Sequence, residues 1–140
     1  MVDIDVACVT QTTDSNIKFE ENKRVIIFQN KSKRVCCKVV VDGCAIKDDV
    51  KCDNLLVDMV TNNEYFVELK GTDVNHGIKQ IERSISLLSD TKIKDKKVMA
   101  FIIPTNVNPL LNTTIQIKKK YFNKMGVSLC IKENKYITSL

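Results

Sequence analysis

The first half of the chain is patterned for strands, and the second for helix and strand in alternation. Val2 to Gln11 alternates loosely between apolar and polar positions, which predicts a strand or extended arm, and Thr12 to Asn16 reads as a turn. Ile17 to Gln29 carries two signals. Asp14 or Ser15 is placed to cap a helix containing Glu20 and Glu21, whereas Val25-Ile26-Ile27-Phe28 favours extended backbone, so a short helix passing into a strand is expected. β-Branched residues dominate Val35 to Val41, and Asp42-Gly43 is a tight-turn signal, with Asp42 read as a turn former rather than a metal ligand. Cys44-Ala45-Ile46 is expected to return as a short strand before the charged loop Lys47 to Lys51. Strands over Asp53 to Asp58 and Glu64 to Lys70 follow, with Asn62-Asn63 in the break between them.

After Gly71 the period changes. Val74, Ile78, Ile81, Ile85 and Leu88 form one continuous helical stripe, with Thr72 or Asp73 as cap, and Gly77 is placed to let the helix approach the sheet closely. Lys97 to Ile103 has the unbroken apolar character of a strand covered on both faces. A second helix, capped by Thr113 or Thr114, is expected to bury Ile115, Phe122 and Met125 and to end at Gly126. Val127 to Ile131 and Tyr136-Ile137 complete the strands. The expected fold is therefore α/β, one domain over residues 1–140, with a mixed central β-sheet flanked by helices.

Charge breaks this pattern in one place. Asp53 opens one strand, and Glu68 and Lys70 lie in the next, where a buried strand carries charge only at a cost unless it is paired or bound to a cation. Alternation puts Phe66, Glu68 and Lys70 on one face and Tyr65, Val67 and Leu69 on the other. A carboxylate suits a divalent cation with oxygen ligands, and an ammonium two residues on can orient or deprotonate water and offset charge on a phosphorane-like transition state. Asp53 supplies a second carboxylate only in one register. A two-residue hairpin at Asn62-Asn63 would leave Asp53 roughly 13 Å from the Glu68 level. A wider loop, about Asp58 to Asn63, sets the two opposite each other, roughly 5 Å apart at Cβ, and that wider loop is predicted.

Length and composition add bounds. The 140 residues, 44% hydrophobic and 28% charged, match one ordinary globular domain. The acidic start, Met1-Val2-Asp3-Ile4-Asp5, lacks the basic and apolar regions of a secretory signal, and no apolar run is long enough to span a bilayer, so a cytoplasmic protein without a membrane partner is expected. The six cysteines, at Cys8, Cys36, Cys37, Cys44, Cys52 and Cys130, include no Cys-x-x-Cys pair and are read as buried reduced thiols. With a single histidine, His76, they offer little for a zinc cluster. The net charge of +5 permits a nucleic-acid partner. Lys31, Lys33, Arg34 and Lys38 form one basic cluster, and Lys118, Lys119, Lys120 and Lys124 a second; these are the candidate grips on phosphate.

Cys52-Asp53, then Tyr65-Phe66-Val67-Glu68-Leu69-Lys70-Gly71, then Gln80 resembles the signature of the PD-(D/E)XK phosphodiesterase superfamily, the restriction endonuclease-like nucleases. The resemblance covers about Val35 to Ile103, with Cys52 standing where the name-giving proline would be. It implies that Asp53 and Glu68, with the carbonyl of Leu69, bind Mg²⁺ or Mn²⁺. It further implies that Lys70 positions the water and that Gln80 supports the site or contacts substrate. Some members add a glutamate from the first helix, a part open here to Glu20 or Glu21.

The function expected is a Mg²⁺-dependent deoxyribonuclease, structure-selective in the manner of junction resolvases, and homodimeric because two strands need two sites. The competing expectation is a non-catalytic nucleic-acid-binding or assembly protein, or a nuclease subunit active only in a complex.

Overall fold

The computed structural model describes residues 1–69 and 73–140. Among them are nine strands and two α-helices. The strands are β1 (Val9–Thr12), β2 (Asn16–Glu21), β3 (Arg24–Gln29), β4 (Cys36–Val40), β5 (Asn54–Asp58), β6 (Glu64–Glu68), β7 (Val98–Ile102), β8 (Val127–Ile131) and β9 (Lys135–Ser139). The helices are α1 (Val74–Leu88) and α2 (Asn112–Lys124).

A six-stranded sheet runs in the order β1-β4-β5-β6-β7-β8, and a three-stranded sheet in the order β2-β3-β9. β1, β4, β5 and β6 pair antiparallel, whereas β6, β7 and β8 pair parallel. Each parallel connection passes through a helix, as such a crossover requires. The large sheet is therefore the mixed sheet expected from the sequence.

Both helices cover one face of it. Val74, Ile78, Ile81, Ile115 and Phe122 pack on Leu55, Val57, Phe66, Ala100 and Ile102. The opposite face is covered by the small sheet, whose Ile17, Phe19, Ile26 and Phe28 meet Leu56, Tyr65, Val67, Leu69, Phe101 and Ile103. Phe28 lies 5.2 Å from Tyr65 and 5.4 Å from Phe101 between ring centres. With apolar layers on both sides, β5, β6 and β7 bury nearly every side chain, which accounts for their unbroken apolar runs.

Five expectations are corrected. Ile17 to Gln29 contains no helix: it is the β2–β3 hairpin, closed by Asn22 and Lys23 at positive φ of 49° and 67°. Period-two burial of Ile17 and Phe19 against the large sheet overrides the helix capping signal. Cys44 to Ile46 is not a strand but the closing side of a turn, in which the Ala45 N–H donates to Val40 O and the Ile46 N–H to Val41 O. In α2 the Met125 side chain is exposed, lying beyond the packed face set by Ile115 and Phe122. The helix is entered through a 3-10 turn capped by Asn108 instead of by Thr113 or Thr114.

The fifth correction concerns thiols. Cys8 and Cys44 form a disulfide with a Cα separation of 5.6 Å, inside the range a disulfide spans. Pairing of β1 with β4 brings the turn before β1 beside the turn after β4, a juxtaposition hidden by a separation of 36 residues. Cys36, Cys37, Cys52 and Cys130 remain free thiols, and the first three are buried as expected.

No helix among the described residues is long and apolar enough to cross a membrane.

Candidate active site

The loop between β5 and β6 is the wide one. Asn54 pairs with Val67, Leu55 with Phe66, Leu56 with Tyr65 and Val57 with Glu64. Asp58 closes the loop by accepting from the Val60 N–H at 2.9 Å, and Asn62 adopts a positive φ of 63°. Continued by one residue, this register brings Asp53 to Glu68.

At that level the ladder changes character. The Asp53 N–H donates to Val67 O at 3.1 Å, and the Asp53 carboxylate, through Oδ2, accepts the Leu69 N–H at 2.7 Å. A side chain thus substitutes for a strand carbonyl, and it reaches the peptide link that follows Glu68. On its other side Asp53 O accepts the N–H groups of Val41 and Asp42 at 3.0 and 3.3 Å, fixing the residue to the end of β4.

Asp53 is 6% exposed and Glu68 is fully buried. Asp53 shares its side of β5 with Leu55 and Val57, and Glu68 its side of β6 with Phe66, so both project beneath the helical layer. The first turn of α1 lies on Glu68: a Cβ built on Gly77 would stand 3.6 Å from Glu68 Cγ and 3.4 Å from two carbons of Ile102. A larger side chain at 77 would have to displace one of them. The partial positive charge of a helix N-terminus there favours a carboxylate. Asp73 caps this helix as expected, its side chain accepting the His76 N–H at 3.2 Å.

Cys52 lies in the same buried layer. Its thiol is pushed up to about 12, first by burial and then by the negative charges of Glu68 and Asp53, against the opposing effect of the Ser84 hydroxyl. Ser84 is wholly buried, and its Oγ accepts the Cys52 N–H at 2.8 Å. Sequence reasoning missed this residue. The available signal was a polar side chain one turn beyond Ile81 on the apolar stripe.

Gln80 is half-buried on α1, one turn from Gly77 and one from Ser84, so it sits over the carboxylates' side of the sheet. His76 is exposed. Lys70, together with Gly71 and the alternative cap Thr72, lies outside the described residues.

The remaining sequence candidates lie on other segments of the chain. Glu20 and Glu21 end β2 in the small sheet, on the face away from the helices, and the exposed Glu20 stands 4.0 Å from Lys18. The helix expected to carry them is a strand. Lys31, Lys33 and Arg34 precede β4 at the end that pairs with Asp58, five positions or roughly 17 Å along β5 from Asp53. Lys31 and Lys33 are exposed, whereas Arg34 is held by the buried Asp58 at 2.7 Å. Lys38 donates to Lys18 O and lies over the Phe19 ring. Lys118, Lys119 and Lys120 lie midway along α2, whose first turn follows the loop leaving β7 at the same end of the sheet as Glu68.

The donor set fits a magnesium-like cation. Carboxylate and carbonyl oxygens are hard ligands, and Mg²⁺ takes one or two carboxylates while keeping several waters. Among the described residues no group of three or more His, Cys, Asp or Glu is placed to hold a metal.

No family model, curated protein or solved structure matches this chain.

Proposed function

We propose that the protein is a metal-dependent nuclease of the PD-(D/E)XK type that hydrolyses phosphodiester bonds in DNA. The observation that carries the reading is the hydrogen bond from the Leu69 N–H to Asp53 Oδ2, which sets a second carboxylate beside the strand end bearing Glu68. In this reading Asp53, Glu68 and the Leu69 carbonyl hold Mg²⁺ or Mn²⁺. When bound, such an ion polarises a phosphate oxygen and acidifies a water. Lys70, two positions after Glu68, supplies an ammonium that orients the attacking water and offsets negative charge on the phosphate in the transition state. Gln80, over the same side of the sheet, steadies the site or donates to substrate.

Lys118, Lys119 and Lys120 are the phosphate contacts best placed relative to this centre. Lys31 and Lys33 could grip only a backbone that extends past the opposite end of the sheet. With no separate recognition module among the described residues, backbone and branch geometry are the features read, as in junction cleavage. A homodimer supplies the second site for the second strand. Residence in the cytoplasm is part of the proposal, and the Cys8–Cys44 disulfide opposes it, since such bonds persist mainly in oxidising surroundings.

The complete burial of Glu68 favours a second reading, a nucleic-acid-binding or assembly protein without turnover, or a subunit opened by a partner. A panel of linear, nicked, branched and single-stranded DNA plus RNA separates the two. The nuclease cuts at least one substrate with Mg²⁺ or Mn²⁺, stops in EDTA, and loses activity in a folded Lys70→Ala variant. Binding without cleavage throughout the panel selects the second reading.

A further inference from the structure

We propose that Ser84 is a positioning residue for the Asp53–Glu68 pair, through its hydrogen bond to the backbone immediately before Asp53; the inference rests on the metal-site reading above. On the buried face of α1, Val74, Gly77, Ile78, Ile81 and Leu88 are apolar or lack a side chain, and Ser84 alone brings a polar group. A hydroxyl is costly to bury unless it is hydrogen-bonded. Here the bond goes to the Cys52 N–H at 2.8 Å. Cys52 precedes the regular part of β5, so its N–H is available to a side chain.

The same helix touches both carboxylate-bearing strands. Gly77 lies against Glu68, and Ser84, seven residues or roughly 10 Å further along the axis, grips the segment leading into Asp53. Gln80 lies between these two contacts. The bond at Ser84 therefore sets how far β5 can shift along the helix relative to Glu68. Asp53 itself is coupled to that segment through its own N–H to Val67 and its carboxylate to Leu69. Loss of the Ser84 hydroxyl frees the Cys52 end and loosens the carboxylate from the Leu69 N–H.

The test combines Mn²⁺ titration by calorimetry with amide hydrogen exchange, in the full chain, for wild type, Asp53→Asn and three Ser84 variants. Ser84→Ala removes the hydroxyl outright. Ser84→Thr and Ser84→Val have nearly the same shape and differ in the hydroxyl, so any cost of overpacking is shared and cancels between them. The expected result is Mn²⁺ binding by wild type that is lost in Asp53→Asn, is weakened about tenfold in Ser84→Val, and stays near wild type in Ser84→Thr. Exchange at Cys52 and Leu69 should be about tenfold faster in the valine variant than in the threonine variant, while amides in β7 are unchanged. Threonine and valine variants with equal Mn²⁺ affinity and equal Leu69 exchange would overturn the role of Ser84 and leave the metal site standing. Absence of Mn²⁺ binding in the wild type would overturn both.

Discussion

Asp53 Oδ2 accepts the Leu69 N–H at 2.7 Å, so a candidate metal ligand also completes a strand ladder. The two tasks come apart by substitution. Asp53→Ala leaves a buried N–H without that acceptor and should cost about 1–3 kcal/mol of stability. Asp53→Asn keeps an acceptor oxygen and should stay within about 1 kcal/mol of wild type while losing metal-dependent activity. Urea denaturation with a parallel cleavage assay checks both; equal loss of stability in the two variants would assign the residue a charge-dependent structural role.

The Cys8–Cys44 bond makes a countable difference. Denatured without reductant, the chain should expose four reactive thiols out of six cysteines. Reduction should lower stability by about 3–4 kcal/mol, given the span of chain closed by the bond. Because Val41 and Asp42 in that turn hold Asp53 O, Cys44→Ser should also reduce activity. A count of six without reductant would remove the disulfide from the account.

How much of this was legible in the sequence differs by element. Asp53, Glu68 and the wide loop were readable, because period-two alternation fixes which side chains share a face, and charge at apolar positions is conspicuous. The helical stripe from Val74 to Leu88 was readable for the same reason, as was Gly77 as the point of close approach. The β2–β3 hairpin was not, since Asp14, Ser15, Glu20 and Glu21 imitate a helix start and only the layer above Tyr65 and Phe101 decides the matter. Nor was the separation of Lys31, Lys33 and Arg34 from the carboxylates. It follows from which end of β4 faces Asp58, a property of the assembled sheet.

Alkaline pH should destabilise the fold through two buried thiols. Burial pushes Cys36 up to about 11 and Cys52 to about 12 from an ordinary 9.0, with nearby carboxylates adding to burial in both cases. Below about pH 9 the thiols are neutral whether the chain is folded or unfolded, and their contribution is constant. Above it the unfolded chain gives up protons that the folded one retains, so stability falls as pH rises towards the folded values. Urea midpoints at about pH 7 and about pH 10 should show this, and Cys36→Ala with Cys52→Ala should flatten the dependence. An unchanged slope in the double variant would place the alkaline loss elsewhere.

The basic residues should separate into two groups. Replacing Lys118, Lys119 and Lys120 with alanine should weaken DNA binding and reduce its salt dependence, with little change in stability. Arg34→Ala should act on the fold instead, by on the order of 3 kcal/mol, because it strands the buried Asp58. Salt-dependent binding isotherms and denaturation curves on the same samples check the division. A large affinity loss in a fully stable Arg34→Ala protein would move the DNA path to the other end of the sheet.

The most direct test of the central claim is cleavage of branched and linear DNA in Mg²⁺ by wild type and Glu68→Gln. Glutamine matches the glutamate in shape but lacks its charge, so the buried site should hold together without a competent ligand. Cleavage by wild type, its abolition by EDTA, and its absence in a folded Glu68→Gln protein are the predicted results. Cleavage that survives in Glu68→Gln would contradict a phosphodiesterase centre built on Asp53 and Glu68.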